Sequence, residues 1–553
     1  MRKMLPAGMD SFEKIRRSDC YYVDKTGMIA ELLHTHGDVN LFTRPRRFGK
    51  SINISMLKSF FEIGTDKSLF DGLAIAKDTG LCEKFLGQYP VIFVTLKEVF
   101  GINYDSAVRN LWEEISREAA RFSFLADSDK LTSRDKRKYQ DLCNETGNVE
   151  AGLKQLSSML YRHYGRQVII LIDEYDAPLQ KAYENGYYDK MVLLIRQLFG
   201  YALKSNDSLL FSVLTGCMRV SKESIFSDLN NPVMYTLTDN ICEEWFGFTD
   251  EEVRCILQEF ALEQYYETTR EWYDGYQIGA TRVYCPRDVI CWCRQLLLNN
   301  GTYPKNYWEN VSENKIVYRL VEASDAGTKH DLETLSEGLC IDKRLLTDLT
   351  YRDMDEDVES LWSVLFTAGY LTQRGERSPD GIYHLTIPNR EVFGIFKREV
   401  QRWFKNTHKN RFTGLYEAFE KGDPKAVQDQ LDSCMRESIS FFDGGNTDEQ
   451  KESFYHGMLI GITHANGRWV VKSNRESGKG RSDLAIVNPQ KRLGILIEVK
   501  YSKTEEELPE KLKEARGQID RMQYEDFFLV FGIKTVIEYG AAFYNKMCSV
   551  EKN

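Results

Sequence analysis

The stretch LFTRPRRFGKSIN, Leu41 to Asn53, decides how the rest of the chain is read. It closes on Gly49-Lys50-Ser51, the end of the phosphate-binding pattern G-x-x-x-x-G-K-[ST], yet the place of the first glycine holds Arg44. Such a loop aims backbone N–H groups and a helix N-terminus at phosphates. Its lysine reaches the β/γ-phosphates and its hydroxyl meets Mg²⁺. The surroundings suit that role: the apolar run NLFT precedes the loop and the helix-like run SINISMLKSFFEIG follows it. Gly-Lys-Ser alone is a weak signal, so what lies at the ends of the other strands has to decide.

Five short apolar runs punctuate the first part of the chain: VNLFTR, YPVIFVTL, QVIILID, SLLFSVLTG and VMYTLTD. Each is rich in β-branched or aromatic residues, and longer helix-like stretches separate them. This alternation predicts an α/β fold in which a parallel sheet carries helices on both faces. The long interval containing DSAVRNLWEEISREAARFSFL reads as a helical insertion. Within VIILIDEYD, Asp173 and Glu174 end a buried strand, where ligands sit in open α/β sheets. Asp173 there would hold Mg²⁺, and Glu174 would polarise an attacking water. A charged cap after a strand is the plainer alternative, but the two halves together favour a nucleotide site. Thr215, ending the fourth run, would position water near the terminal phosphate. Arg219 just beyond would neutralise phosphate charge, or else is a surface arginine in a loop. Arg46, Arg47 and Gly49 complete the candidate ATP-binding set with Lys50 and Ser51.

Further along, FTDEEVRCILQEFA reads as a helix with Thr249 as N-cap and Glu252 closing a capping box. WYDGYQIG is a glycine-containing aromatic turn. Between about 305 and 400, SLWSVLFTAGYLTQRG and IYHLTIPNREVFGIFKREVQRWF give helix, strand, turn and strand, the order of a winged helix or of a helical linker with one hairpin. From about 400 a compact α/β region follows. It has the apolar helix FYHGMLIGITHA, strands that turn at Asn488-Pro489, a charged helix in EEELPEKLKEARGQIDRMQY, and the runs FFLVFGI and VIEYGAAFYN. The expected domains are 1–285, 286–400 and 401–553.

This last region holds a second constellation. Asp483 in GRSDLAIV lies upstream of Glu498 and Lys500 in ILIEVKY. Strand alternation puts Glu498 and Lys500 on one face with Val499 opposite. Carboxylates on paired strands suit Mg²⁺, and a lysine beside them can orient or help deprotonate an attacking water, the arrangement for metal-assisted phosphodiester hydrolysis. Glu-x-Lys is common on exposed strands. Here the run LGILI implies a buried strand, where charge is costly unless paired or metal-bound. Glu452, ahead of FYHGMLIGI, is a further candidate metal ligand, and Gln518 could reach the same place; each is otherwise ordinary helix surface.

Composition bounds these readings. The chain has 553 residues, enough for three or four domains, with 42% apolar and 28% charged residues. A net charge of −10 argues against a globally basic coat for nucleic acid but leaves room for a local groove. The 12 cysteines have no Cys-x-x-Cys pair and read as reduced thiols. The N-terminus lacks the apolar core of a signal peptide, and no run approaches a membrane span. A cytoplasmic protein with no membrane partner is expected.

The segments LPAGMDSFEKIR, YYVDKT, LFTRPRRFGKS, SMLKSFF, YPVIFVTLK, ILIDEYDAPL and WYDGY resemble the AAA-ATPase-like family of large bacterial proteins. Members resemble this chain end to end and carry a C-terminal PD-(D/E)XK nuclease-superfamily domain, matched here by FYHGMLIGI, GRSDLAI and IEVK. The resemblance implies that Arg44 is a family feature and that Lys50 and Ser51 contact phosphate and Mg²⁺. It implies that Asp173 and Glu174 form the Walker B pair. It implies that Asp483, Glu498 and Lys500 form the nuclease core, with Glu452 as the helix acid. Two functions fit. One is an ATP-hydrolysing protein coupled to a metal-dependent nuclease acting on DNA. The other is a nucleotide-switched DNA- or protein-binding regulator whose nuclease-like domain does not cleave. The sequence leaves open a protein partner and a homo-oligomer, and no residue marks an arginine supplied in trans.

Overall fold

The structure is a computed structural model. It describes residues 3–218, 232–299, 303–308, 328, 331–332, 334–335, 338–346, 349, 351, 358–396, 412–438, 448–464, 466, 468–472, 484–521, 528, 531–533 and 535–553. These fall into two compact units. The first takes Met1–Val311 and Asp342–Gly394, the second Ser312–Ile341 and Ile395–Asn553.

The five apolar runs of the first unit become five strands: β1 (Val39–Thr43), β2 (Val91–Thr95), β3 (Val168–Asp173), β4 (Leu209–Gly216) and β5 (Val233–Tyr235). All pair in parallel, in the order β2-β3-β4-β1-β5. Every residue of β1 and β3 is buried, as continuous apolar runs require when helices cover both faces. Each fully buried Ile or Leu there contributes about 1.5–3 kcal/mol. β4 lies between β1 and β3, so the phosphate loop after β1, the acidic turn after β3 and the end of β4 open on one edge of the sheet.

The predicted helical insertion between β2 and β3 is real, with helices Tyr104–Ala120, Ser133–Cys143 and Gly152–Tyr164. Thr249 caps the helix Asp250–Glu259 through the capping box with Glu252, and the Glu252 carboxylate also accepts a 2.7 Å hydrogen bond from buried Lys25. The aromatic turn at WYDGYQIG is made by Gly275 at φ 111°. It leads into a short hairpin of β6 (Tyr276–Ile278) and β7 (Thr281–Val283). β8 (Ile341–Arg344), β9 (Thr372–Gln373) and β10 (Ile382–Thr386) form a three-stranded sheet, in the order β8-β10-β9. The helix Val358–Ala368 feeds into β9, the helix–strand–turn–strand order read from the sequence, which a winged helix and a helical linker with one hairpin share.

The second unit holds a five-stranded sheet of β11 (Val470–Lys472), β12 (Leu484–Asn488), β13 (Leu493–Tyr501), β14 (Thr535–Tyr544) and β15 (Met547–Lys552), in chain order. Only β13 and β14 run parallel. Ile495, Ile497 and Val499 of β13 pack into one core with Tyr455 and Leu459 of the helix Asp448–His464. Leu496 packs into another with Ile519 of the helix Leu508–Arg521. No helix among the described residues is long and apolar enough to cross a membrane.

Candidate functional site

The phosphate loop leaves β1 at Arg44, and the structure explains why an arginine stands where a glycine would. The Arg44 amide donates to the Gly216 carbonyl at 3.0 Å, and its fully buried side chain turns away from the loop. The guanidinium donates to the carbonyls of Thr43, Tyr235 and Cys242 at 2.9, 2.6 and 3.2 Å and lies over the Phe246 ring. Burial lowers its pKa to about 10, so it stays charged at neutral pH. The tight part of the loop comes later instead, with left-handed backbone at Arg47 (φ 72°) and Gly49 (φ 83°). Gly49 then caps the helix Lys50–Phe61.

Three of the predicted residues meet at the sheet edge. The Ser51 hydroxyl donates to Asp173 Oδ2 at 2.6 Å, and the Thr215 hydroxyl donates to Asp173 Oδ1 at 2.5 Å. Lys50 is buried and donates to the loop carbonyls of Arg44 and Pro45, both at 2.9 Å, with Cys217 Sγ 3.3 Å away. Arg46 and Arg47 reach elsewhere: Arg46 donates to Gln180 Oε1 at 2.8 Å and Arg47 to the Tyr307 carbonyl at 2.6 Å. Arg219 lies outside the described residues. Glu174 holds a left-handed conformation (φ 52°), a strained geometry of the kind found at functional sites. Burial raises its pKa, the neighbouring Asp173 adds to this, and Lys50 and Lys97 partly offset it.

In the second unit, Lys500 Nζ lies 3.5 Å from Glu498 Oε1 and 3.6 Å from Glu452 Oε1. Glu498 is completely buried, and Val499 points into the opposite core, as strand alternation requires. Asp483 lies outside the described residues; Leu484, next in sequence, opens β12 opposite Ile497.

Comparison with known families assigns both regions. Residues 6–226 match the family described as Predicted AAA-ATPase, and residues 450–553 match the PD-(D/E)XK nuclease superfamily. The chain joins an AAA-ATPase-like region to a PD-(D/E)XK nuclease-superfamily region. It is also similar to an uncharacterized protein in the vnfD 5' region of Azotobacter chroococcum mcd 1. That relative is 27% identical over 397 residues, covering 71% of this chain and 68% of the relative.

The AAA-ATPase-like region offers a hydroxyl and a carboxylate already hydrogen-bonded to each other at the mouth of the loop. This hard-oxygen pair fits Mg²⁺. In the PD-(D/E)XK region Glu452 and Glu498 flank the Lys500 ammonium, and their carboxylate oxygens are of the kind that suit a hard cation. Two residues of the first site were missed in the sequence. Asp176 is buried and accepts from the amides of Cys217 and Met218, both at 2.9 Å, so it fixes the chain just past Thr215. Burial raises its pKa, and those amides work against that. Lys97, which follows β2, is the other. The third acid of DEYD was a readable signal for Asp176; nothing in the sequence distinguished Lys97 from other surface lysines.

Proposed function

We propose that the chain binds and hydrolyses ATP, and that this nucleotide cycle controls a metal-dependent cleavage of DNA by the PD-(D/E)XK region. The observation that carries the reading is the Asp173 carboxylate held between the Ser51 and Thr215 hydroxyls, beside a helix that begins at Lys50. In this reading Lys50 and the amides of the loop grip the phosphates, and Ser51 and Asp173 hold Mg²⁺. Glu174 takes a proton from the attacking water, a task to which its raised pKa is suited, and Thr215 helps to place that water. Arg46 and Arg47, proposed from the sequence as phosphate contacts, hold Gln180 and the Tyr307 carbonyl instead and support the loop from the side.

In the PD-(D/E)XK region, Glu452, Asp483 and Glu498 would hold a divalent cation. When bound, that ion supplies charge neutralisation at the scissile phosphate and eases formation of the nucleophile. Lys500, next to two carboxylates, orients the attacking water and steadies the charge that develops.

The test is cleavage of plasmid and single-stranded DNA by the purified protein with Mg²⁺ or Mn²⁺, with and without ATP, beside Asp483→Ala. Cleavage by the wild type alone, altered by ATP, is expected. ATP binding without cleavage under any condition would overturn the nuclease half and leave a nucleotide-controlled binding protein.

A further inference from the structure

The phosphate loop is held from behind by a buried polar cluster that the ATPase chemistry does not use. Trp308 is 3% exposed, and its ring lies 5.7 Å from the Arg47 guanidinium. The Trp308 indole donates to Asp288 Oδ2 at 3.0 Å, and its backbone amide donates to Glu391 Oε1, also at 3.0 Å. The Tyr307 amide donates to the same Glu391 oxygen, while the Tyr307 carbonyl accepts from Arg47. The Cys285 thiol donates to the Arg47 carbonyl. Phe48 meets Tyr276 edge to face at 4.9 Å. Gly369 lies so close to Pro45 that an added Cβ would come within 2.9 Å of its ring. Three loop residues, Pro45, Arg47 and Phe48, are therefore clasped.

Asp288 and Glu391 are each 1% exposed; Trp308 donates to both, and the second oxygen of each carboxyl group is buried with no hydrogen-bond donor among the described residues. Two carboxyl groups buried around one tryptophan avoid a pair of adjacent charges when one of them keeps its proton. Burial raises the pKa of Asp288, while the Trp308 indole and the nearby Arg47 charge work against that, so of the two it is the one that ionises. Burial first, and then the Asp288 charge, push Glu391 up to about 9, so it keeps the proton at neutral pH. The other titratable groups packed around the pair are Cys285, Tyr273, Tyr276 and Tyr307. All are pushed above their ordinary values by burial and stay neutral while Glu391 titrates.

We propose that Trp308, Asp288 and Glu391 are positioning residues for nucleotide binding. They hold Arg47 in its left-handed conformation and so keep the phosphate loop in its binding shape. This rests on the ATP reading above. When Glu391 loses its proton, two charges are buried around Trp308, the clasp loosens and the loop loses its preset geometry.

The test is calorimetric titration of the full-length protein with ATP and Mg²⁺ from about pH 7.5 to about pH 10, for wild type, Lys50→Ala, Glu391→Gln and Glu391→Ala. Glutamine mimics the protonated acid at every pH. Wild type should lose about tenfold in affinity across the range, while Glu391→Gln starts within about twofold of wild type and stays level. Glu391→Ala should bind about tenfold more weakly throughout; the glutamine variant carries the test if the alanine variant does not fold. If wild type binds, Lys50→Ala does not, and wild type and Glu391→Gln weaken in parallel with pH, the inference is overturned while the ATP reading survives. If wild type does not bind ATP at any pH, the ATP reading fails and takes this inference with it.

Discussion

The two candidate sites hold their central acids in opposite ways. Asp173 sits between two neutral hydroxyl donors, Ser51 and Thr215, while Glu498 is fully buried beside the ammonium of Lys500. Hydroxyls can rotate and exchange one partner for another at little cost, so the first arrangement suits a site that fills and empties with each nucleotide. An ammonium beside a buried carboxylate is a fixed charge arrangement, costly to leave half-made. It suits a site whose task is to stabilise charge at one place. The first site adapts and the second is prebuilt.

The contrast can be broken or sharpened by experiment. The largest effect is expected from Lys500→Ala, which should lower metal-dependent DNA cleavage by at least about 10³-fold while ATP affinity stays at the wild-type value. Cleavage left intact would remove Lys500 from the chemistry and with it the prebuilt site. Next comes Glu174→Gln. ATP turnover should fall by about 10²–10³-fold with affinity kept, so that the variant traps bound ATP; equal turnover in filter-binding and phosphate-release assays would rule Glu174 out as the base. Arg44→Met should be a stability variant rather than a catalytic one. It leaves three buried carbonyls without their guanidinium, and a fall of several degrees in the unfolding midpoint is expected by calorimetry. Thr215→Val should cost about tenfold in turnover, because Asp173 keeps Ser51 and loses one hydroxyl; no change would mean the adaptable site needs only one of the two.

The smallest effect concerns pH and stability. Glu391 binds its proton more tightly folded than unfolded, so its stabilising contribution is full below the ordinary carboxylate range. It is lost progressively as pH rises to about 9. Thermal melts of wild type should fall by a few degrees across that window, and those of Glu391→Gln should fall less.

Much of this was legible in the sequence because the signals were local. All five apolar runs of the first unit became parallel strands, and the capping box at Thr249 formed as its spacing required. The pairing of Glu498 with Lys500 across Val499 followed from strand alternation alone. What escaped was long-range. The destination of the Arg44 side chain depends on carbonyls some two hundred residues away, and Asp288 and Glu391 meet around Trp308 from positions a hundred residues apart that no local pattern links. β15 was not anticipated because MCSVEK lacks a distinct strand pattern; it forms because β14 offers it an edge. The readings placed on Arg219 and Asp483, and Phe527, Leu529 and Val530 of FFLVFGI, fall outside the described residues.

The contact between Lys50 and Cys217 has a practical consequence. A sulfur 3.3 Å from the Lys50 ammonium, the proposed phosphate contact, gives the loop a built-in chemical label. An alkylating reagent would compete with nucleotide for this spot, and protection of Cys217 would report occupancy residue by residue in a mass spectrum. Cys255, exposed on the helix Asp250–Glu259, reacts regardless and supplies the internal standard. Occupancy could then be followed inside a crude extract, without purifying the protein or tagging the nucleotide.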